Sequence, residues 1–242
     1  MQRATGARLA VMCAVVLAAG ACKKADQAAS RAAQAGDQMG ADAMGTAEYT
    51  VVLKSRWTPA EHPFEYPAPG AITGPHFSGL IGASHNASYS IFAPGSLPTP
   101  GLERLSEEGK HTPLDEEIRA AAATGVVGML VETGPLRDFG DSLVTTIRVD
   151  AAHPLVSLVA MVAPSPDWFT GAANVSLMEN GAWVQSRTLD LNAWDSGGDD
   201  GTTYKAPDMD NNPKKPTSQG MTRHFVINGV TVPVGTVTFT KN

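Results

Sequence analysis

Three aspartates stand in settings that can do chemistry. Asp167 lies in PSPDWFTG, Pro164 to Gly171, directly after the apolar run PLVSLVAMVA. Asp195 and Asp199 lie in NAWDSGGDDGTTY, around Gly197 and Gly198. Carboxylates crowded together repel, and a hard cation relieves them most cheaply. Calcium accepts about six to eight oxygens, usually carboxylates completed by carbonyls and water. Glycine lets a loop curl so that its carbonyls also face the ion. Magnesium suits a wide, loop-built, all-oxygen site less well. Zinc prefers histidine or cysteine, and neither is near these aspartates. Two solvated acidic loops without an ion are the other arrangement these residues allow.

Whether the aspartates can meet depends on the elements between them. PLVSLVAMVA has the continuous apolar character of a strand buried on both faces. If it runs upward, Asp167 sits at its upper end, and NVSLM returns downward. Asn180-Gly181 is a hairpin signal, because both residues tolerate positive φ. RTLDLNAW then climbs again and delivers WDSGGDDG to the same end as PSPDW. The 28 positions between Asp167 and Asp195 therefore allow contact in space.

The rest of the chain reads as short strands and turns. In AEYTVVLKSRW, Tyr49, Val51 and Leu53 alternate with Thr50, Val52 and Lys54, which predicts a strand. The proline- and glycine-rich TPAEHPFEYPAPGAITGPHFSGLIGASHN predicts a long irregular connection. SYSIFAP, VVGMLVETG and DSLVTTIRVD read as strands, as do TRHFVING and VPVGTVTFTKN at the end. TPLDEEIRAAAA predicts a short helix capped by Thr112, with Asp115 and Glu116 at its positive end. The sum is all-β: an antiparallel β-sandwich with one minor helix.

The chain has 242 residues and 43% hydrophobic content, enough for one substantial core. Residues 1–21 carry two arginines, no acid and the apolar run LAVMCAVVLAA, the pattern of a secretory signal. AGAC, Ala19 to Cys22, resembles the lipobox of bacterial lipoproteins, in which the cysteine is lipidated and becomes the mature N-terminus. Ala19 stands where leucine is commonest, and an ordinary signal with an incidental cysteine is the alternative. No cysteine follows Cys22, so the mature chain forms no internal disulfide. Residues 22–46 are alanine-rich, lack aromatic bulk and predict a tether before a domain over 47–242. Removal of residues 1–21 leaves 16 basic against 24 acidic residues, a net charge of −8. That balance argues against nucleic acid as a partner and is consistent with binding cations.

Several segments resemble one family. PSPDWFTG, a hairpin and AWDSGGDDGTTYKAP are similar to the signature of the spondin N-terminal domain, the F-spondin and mindin type. YTVVLKSRWTPAEHP, HFSGLIGASHN with Tyr89, and LDEEI agree in order, so the resemblance runs from about Tyr49 to Pro213. It implies a β-sandwich related to calcium-dependent phospholipid-binding domains, with one Ca2+ in its loops. The family's calcium aspartates match Asp167, Asp195 and Asp199, whereas Asp200 stands where serine is common. The cysteines of the animal domains are missing, and the C-terminal part is more divergent.

Other candidates carry less. His62, His76, His85, His111, His153 and His224 show no metal-binding spacing, and structural hydrogen bonding is their expected role. Asp208 and Asp210 read as a polar turn or as extra cation ligands. Glu132 and Asp138 have nothing to unite them as an acid–base pair. Trp168 and Trp194 flank the expected ion. No nucleophile elbow, phosphate loop or dinucleotide motif is present. The function this predicts is a non-catalytic, calcium-binding, lipid-anchored bacterial protein of the outer membrane or cell surface, or facing the periplasm. It would mediate adhesion or recognition of an envelope or extracellular protein or glycan. A calcium-dependent enzyme acting on envelope polysaccharide and a purely structural envelope protein are the alternatives. Calcium affinity would be that of extracellular modules, about 10⁻⁴ to 10⁻³ M.

Overall fold

The alternation in TAEYTVVLKS folds as its pattern predicts. Strand β1 (Thr46–Ser55) buries Tyr49, Val51 and Leu53 on one face. The structure, a computed structural model, describes residues 45–68, 74–136, 142–220 and 222–242. The expected signal (1–21), Cys22 and nearly all of the tether (22–46) lie outside the described residues, as does Asp138.

Two antiparallel sheets form the sandwich. The smaller has the order β4-β1-β14-β9, with β4 at Ser142–Asp150, β9 at Ser186–Leu191 and β14 at Gly235–Lys241. The larger has the order β11-β10-β6-β5-β2-β3. Its strands are β2 (His76–His85), β3 (Val127–Leu136), β5 (Leu155–Ala163), β6 (Trp168–Ser176), β10 (Ala193–Asp195) and β11 (Ser218–Gln219). Two small hairpins complete the strands: β7 (Met178–Glu179) with β8 (Ala182–Trp183), and β12 (Val226–Ile227) with β13 (Val230–Thr231). Asn180 and Gly181 take φ of 51° and 74°, as the Asn-Gly turn requires.

The main core lies between the sheets, where Tyr49, Val51 and Phe239 meet Leu80, Leu158, Val162 and Trp168. A second core covers the other face of the larger sheet. There Leu102 and Leu105 of α1 (Pro100–Glu108) and Leu114 and Ile118 of α2 (Leu114–Ala123) pack on Ile81, Val159 and Phe169. This explains why β5 is apolar except for Ser157: one face belongs to the sandwich and the other to the helices.

Several local expectations change, and TRHFVING is a turn with only Val226–Ile227 in strand. HFSGLIGASH is not part of an irregular connection but the buried strand β2. Its glycines serve close packing, since a Cβ on Gly82 would lie 2.3 Å from the Ser157 carbonyl oxygen. SYSIFAP is a bend, not a strand, and Ile91 and Phe92 are buried by packing against the second core. Among the described residues there are two helices instead of one. Thr99 caps α1 by accepting from the Leu102 N–H at 3.2 Å, and Gly109 closes it with φ of 67°. Thr112 does not cap α2; its hydroxyl donates to the Asp115 carboxylate at 2.8 Å.

Candidate functional site

Asp167 is the last residue before β6, and the Asp195 at the end of β10 pairs in register with Trp168. The strand count thus brings the two aspartates to one end of the sandwich. The chain leaves the smaller sheet at Leu191 and joins the larger one at Ala193, so a single residue, Asn192, makes the crossing.

Asp167 is fully enclosed. Its Oδ2 accepts from the Ser196 hydroxyl and from the N–H groups of Gly197, Gly198 and Asp199, at 2.9, 2.9, 2.9 and 3.2 Å. One carboxylate oxygen therefore shapes the whole turn from Ser196 to Asp199. Gly197 adopts φ of +86° there, which an L side chain resists. The other oxygen, Oδ1, is buried and meets no donor. Burial raises the Asp167 pKa, and the turn's amides and the Ser196 hydroxyl act against that rise.

Asp195 accepts the Gly197 N–H at 2.9 Å on Oδ1. Burial first, and the negative charge of Asp167 second, push its pKa up to about 6. Asp199 behaves differently. Its Oδ1 accepts the Gly201 N–H, and its Oδ2 accepts the Met209 N–H, so its carboxylate clips the following loop closed. The structure brings Asp167 and Asp195 into mutual electrostatic contact and places Asp199 on the same turn. The three do not form a group whose oxygens all converge within 4.8 Å.

Among the described residues, the group that does converge in this way is Glu103, Glu107 and Asp210. Glu103 and Glu107 lie one turn apart on α1. Their signal was present in TPGLERLSEEG: a Thr-Pro start, a glycine stop, and two glutamates at i,i+4 spacing. Glu107 Oε1 is buried without a hydrogen-bond partner. Burial, then Glu103, push its pKa up to about 7, Lys214 counters this, and Asp210 and Asp167 add to the rise.

The secondary candidates take structural places. His85 is buried between the Ser157 hydroxyl and the Asn86 carbonyl, both at 2.8 Å. Glu132 contacts His111 and Arg119. Trp168 is a core residue packed on Tyr204, His224 and Phe225, whereas Trp194 is half-buried against Phe92. Asp208 is exposed. No helix of the described residues is long and apolar enough to cross a membrane.

A hard cation fits this corner on the chemistry of its donors. An enclosed carboxylate oxygen without a donor and a second carboxylate beside it favour positive charge. Asp167 Oδ1, Asp195 and Asp199 would supply ligands, and Asp199 also clips the loop that follows it.

The family model Spondin_N matches residues 47–226. The chain is similar to Spondin-2 of Rattus norvegicus, with 31% identity over 182 residues covering 72% of this chain and 54% of that protein. To Spondin-2 of Homo sapiens it is 31% identical over 170 residues, covering 69% and 50%. To Spondin-1 of Bos taurus it is 30% identical over 187 residues, covering 72% and 22%. The chain thus spans about half the length of the Spondin-2 proteins and a smaller share of Spondin-1.

Proposed function

The chain belongs to the spondin N-terminal domain family, and from that premise we propose a non-catalytic, calcium-binding recognition module of an exported, lipid-anchored envelope protein. The observation that supports the calcium reading is the Asp167 carboxylate. One of its oxygens is saturated by the 196–199 turn, and the other is enclosed without a donor beside Asp195. Calcium at this corner neutralises both carboxylates and fixes the PSPD and WDSGGD loops to each other. That makes one end of the sandwich a surface of defined shape for a protein or glycan partner.

The corner lies at the opposite end of the sandwich from Thr46. Thr46 and Lys241 share one end of the smaller sheet, whereas Ser55, Gly235 and Leu191 share the other, from which the chain runs on to Asp195.

Thermal unfolding with calcium and with chelator tests the reading. With Kd of about 10⁻⁴ to 10⁻³ M, roughly 10 mM calcium adds about 1.5–3 kcal/mol, several degrees in Tm. Asp195→Ala is expected to abolish that shift. Superimposable melting curves with calcium and with chelator would remove the calcium claim. Glycan and protein arrays probed with and without calcium then separate recognition from a purely structural ion.

A further inference from the structure

Gly197 and Gly198 give the turn at the acidic corner unusual conformational freedom, yet three successive peptide planes of it are held from both sides. Toward Asp167, the N–H groups of Gly197, Gly198 and Asp199 all donate to Oδ2. A trans peptide plane points its carbonyl the opposite way, here toward residues 211–217. The Ser196 carbonyl accepts from the Thr217 hydroxyl at 3.2 Å. The Gly197 carbonyl accepts from the Asn211 side-chain amide at 3.2 Å and from the Lys215 N–H at 2.9 Å. The Gly198 carbonyl accepts from the Asn211 N–H at 2.8 Å and from the Lys214 ammonium at 3.3 Å.

Residues 211–217 are themselves anchored. Asn211 and Thr217 are buried. The Thr217 N–H donates to the Ser96 carbonyl at 2.7 Å, and its carbonyl accepts the Gly95 N–H at 2.8 Å. Lys214 reaches Glu103 of α1 at 2.6 Å. The two segments also approach closely, since a Cβ on Gly197 would overlap the Lys215 carbonyl oxygen. Asn211 serves two of the three carbonyls, one with its side chain and one with its backbone.

We infer that Asn211, supported by Thr217, is a positioning residue for the ion corner: it fixes the peptide planes whose amides fix Asp167. The inference rests on the calcium reading above and adds to it a residue that acts through the turn. Glycines let a peptide plane rotate at little steric cost, and rotation would turn a carbonyl toward the Asp167 carboxylate. A carboxylate is oriented toward a cation only as firmly as its other oxygen is held, and the groups behind a metal ligand set its affinity. The asparagine is specific to this task. Its amide places a donor against the Gly197 carbonyl, where an aspartate of the same shape would place an acceptor. In APDMDNNP the acids Asp208 and Asp210 are exposed, and the buried amide of Asn211 is what the corner uses.

The test combines calorimetry of calcium binding with amide hydrogen exchange of the calcium-free chain, at a temperature where melting curves show each variant folded. Asn211→Ala is expected to weaken calcium about tenfold and to speed exchange of the Gly197, Gly198 and Asp199 N–H groups. Asn211→Asp is expected to weaken it too, although its added negative charge by itself favours a cation. Thr217→Val, close to isosteric, is expected to act in the same direction and serves if the Asn211 variants fail to fold. Gly82→Ala, destabilised within β2, is expected to keep the parent's affinity. Parent-like affinity in Asn211→Ala and Thr217→Val would overturn the positioning role and leave the Asp167 and Asp195 site standing. Tighter binding in Asn211→Asp, unchanged exchange at the turn, or equal weakening in Gly82→Ala would overturn it as well. A parent chain that binds no calcium at millimolar concentration would overturn the calcium reading itself, and the role of Asn211 with it.

Discussion

The chemistry of the corner rests on how Asp167 divides its two oxygens. Oδ2 holds the 196–199 turn together, and Oδ1 is left enclosed and unpaired. In the cation-free protein its own burial first, and the charge of Asp167 second, make ionisation of neighbouring Asp195 unfavourable, and its pKa rises from 3.8 to about 6. Across that window the native state binds more protons than the unfolded chain. The contribution is therefore fully present below 3.8 and is lost as pH rises through about 6. In chelator, Asp195→Asn should gain stability relative to the parent chain as pH goes from about 4 to 7. Urea titrations at a series of pH values measure that gap, and a gap independent of pH would contradict it. Asp167 and Asp195 were legible in the sequence because strand parity alone sets which end each loop occupies. The use Asp199 makes of its carboxylate was not, since it depends on where the loop returns at Met209, ten residues on.

At the level of elements, the buried strand β2 leaves no room for a side chain at Gly82. A Cβ on Gly82 would meet the Ser157 carbonyl oxygen at 2.3 Å and Leu158 at 2.4 Å. Gly82→Ala must push β2 and β5 apart, since the obstacle is backbone and cannot rotate away. Denaturant unfolding should show a loss of about 3 kcal/mol, and a change within error would mean that the strands yield more easily than their packing suggests. The same glycines explain why β2 was misread from sequence. Glycine signals a loop when its freedom is used, and a tightly paired strand when its small size is used, and composition does not distinguish the two. Helix α1 was missed for a different reason. Its Thr99 cap and Gly109 stop are local, but only four of its residues, Gly101, Leu102, Leu105 and Ser106, are buried, so its apolar stripe is narrow. The doubly buried β5, in contrast, was readable from its nearly continuous apolar run, although the helices that cover its second face were not all foreseen.

For the whole molecule, the antiparallel sandwich and family membership were both legible, the first from the strand patterns and the second from motifs spread over β1, β2, α2 and the two acidic loops. The proposal of a lipid anchor is carried by AGAC alone. Cys22→Ser is expected to move the protein from the detergent phase to the aqueous phase in a Triton X-114 partition. A parent chain found in the aqueous phase from the start would contradict lipidation at Cys22. Residue 22 lies outside the described structure, so that experiment is independent of the fold.

The position of β1 has a mechanical consequence. β1 is an interior strand, paired from Thr46 to Lys54 with β4 and from Tyr49 to Ser55 with β14. If the domain is held at Thr46 and pulled at the acidic corner, force runs along β1 from end to end. Its bonds to both neighbours are then loaded together in shear, and the strand cannot be peeled away one pair at a time. A protein that grips a partner at that corner while moored through its N-terminus would be built to resist tension.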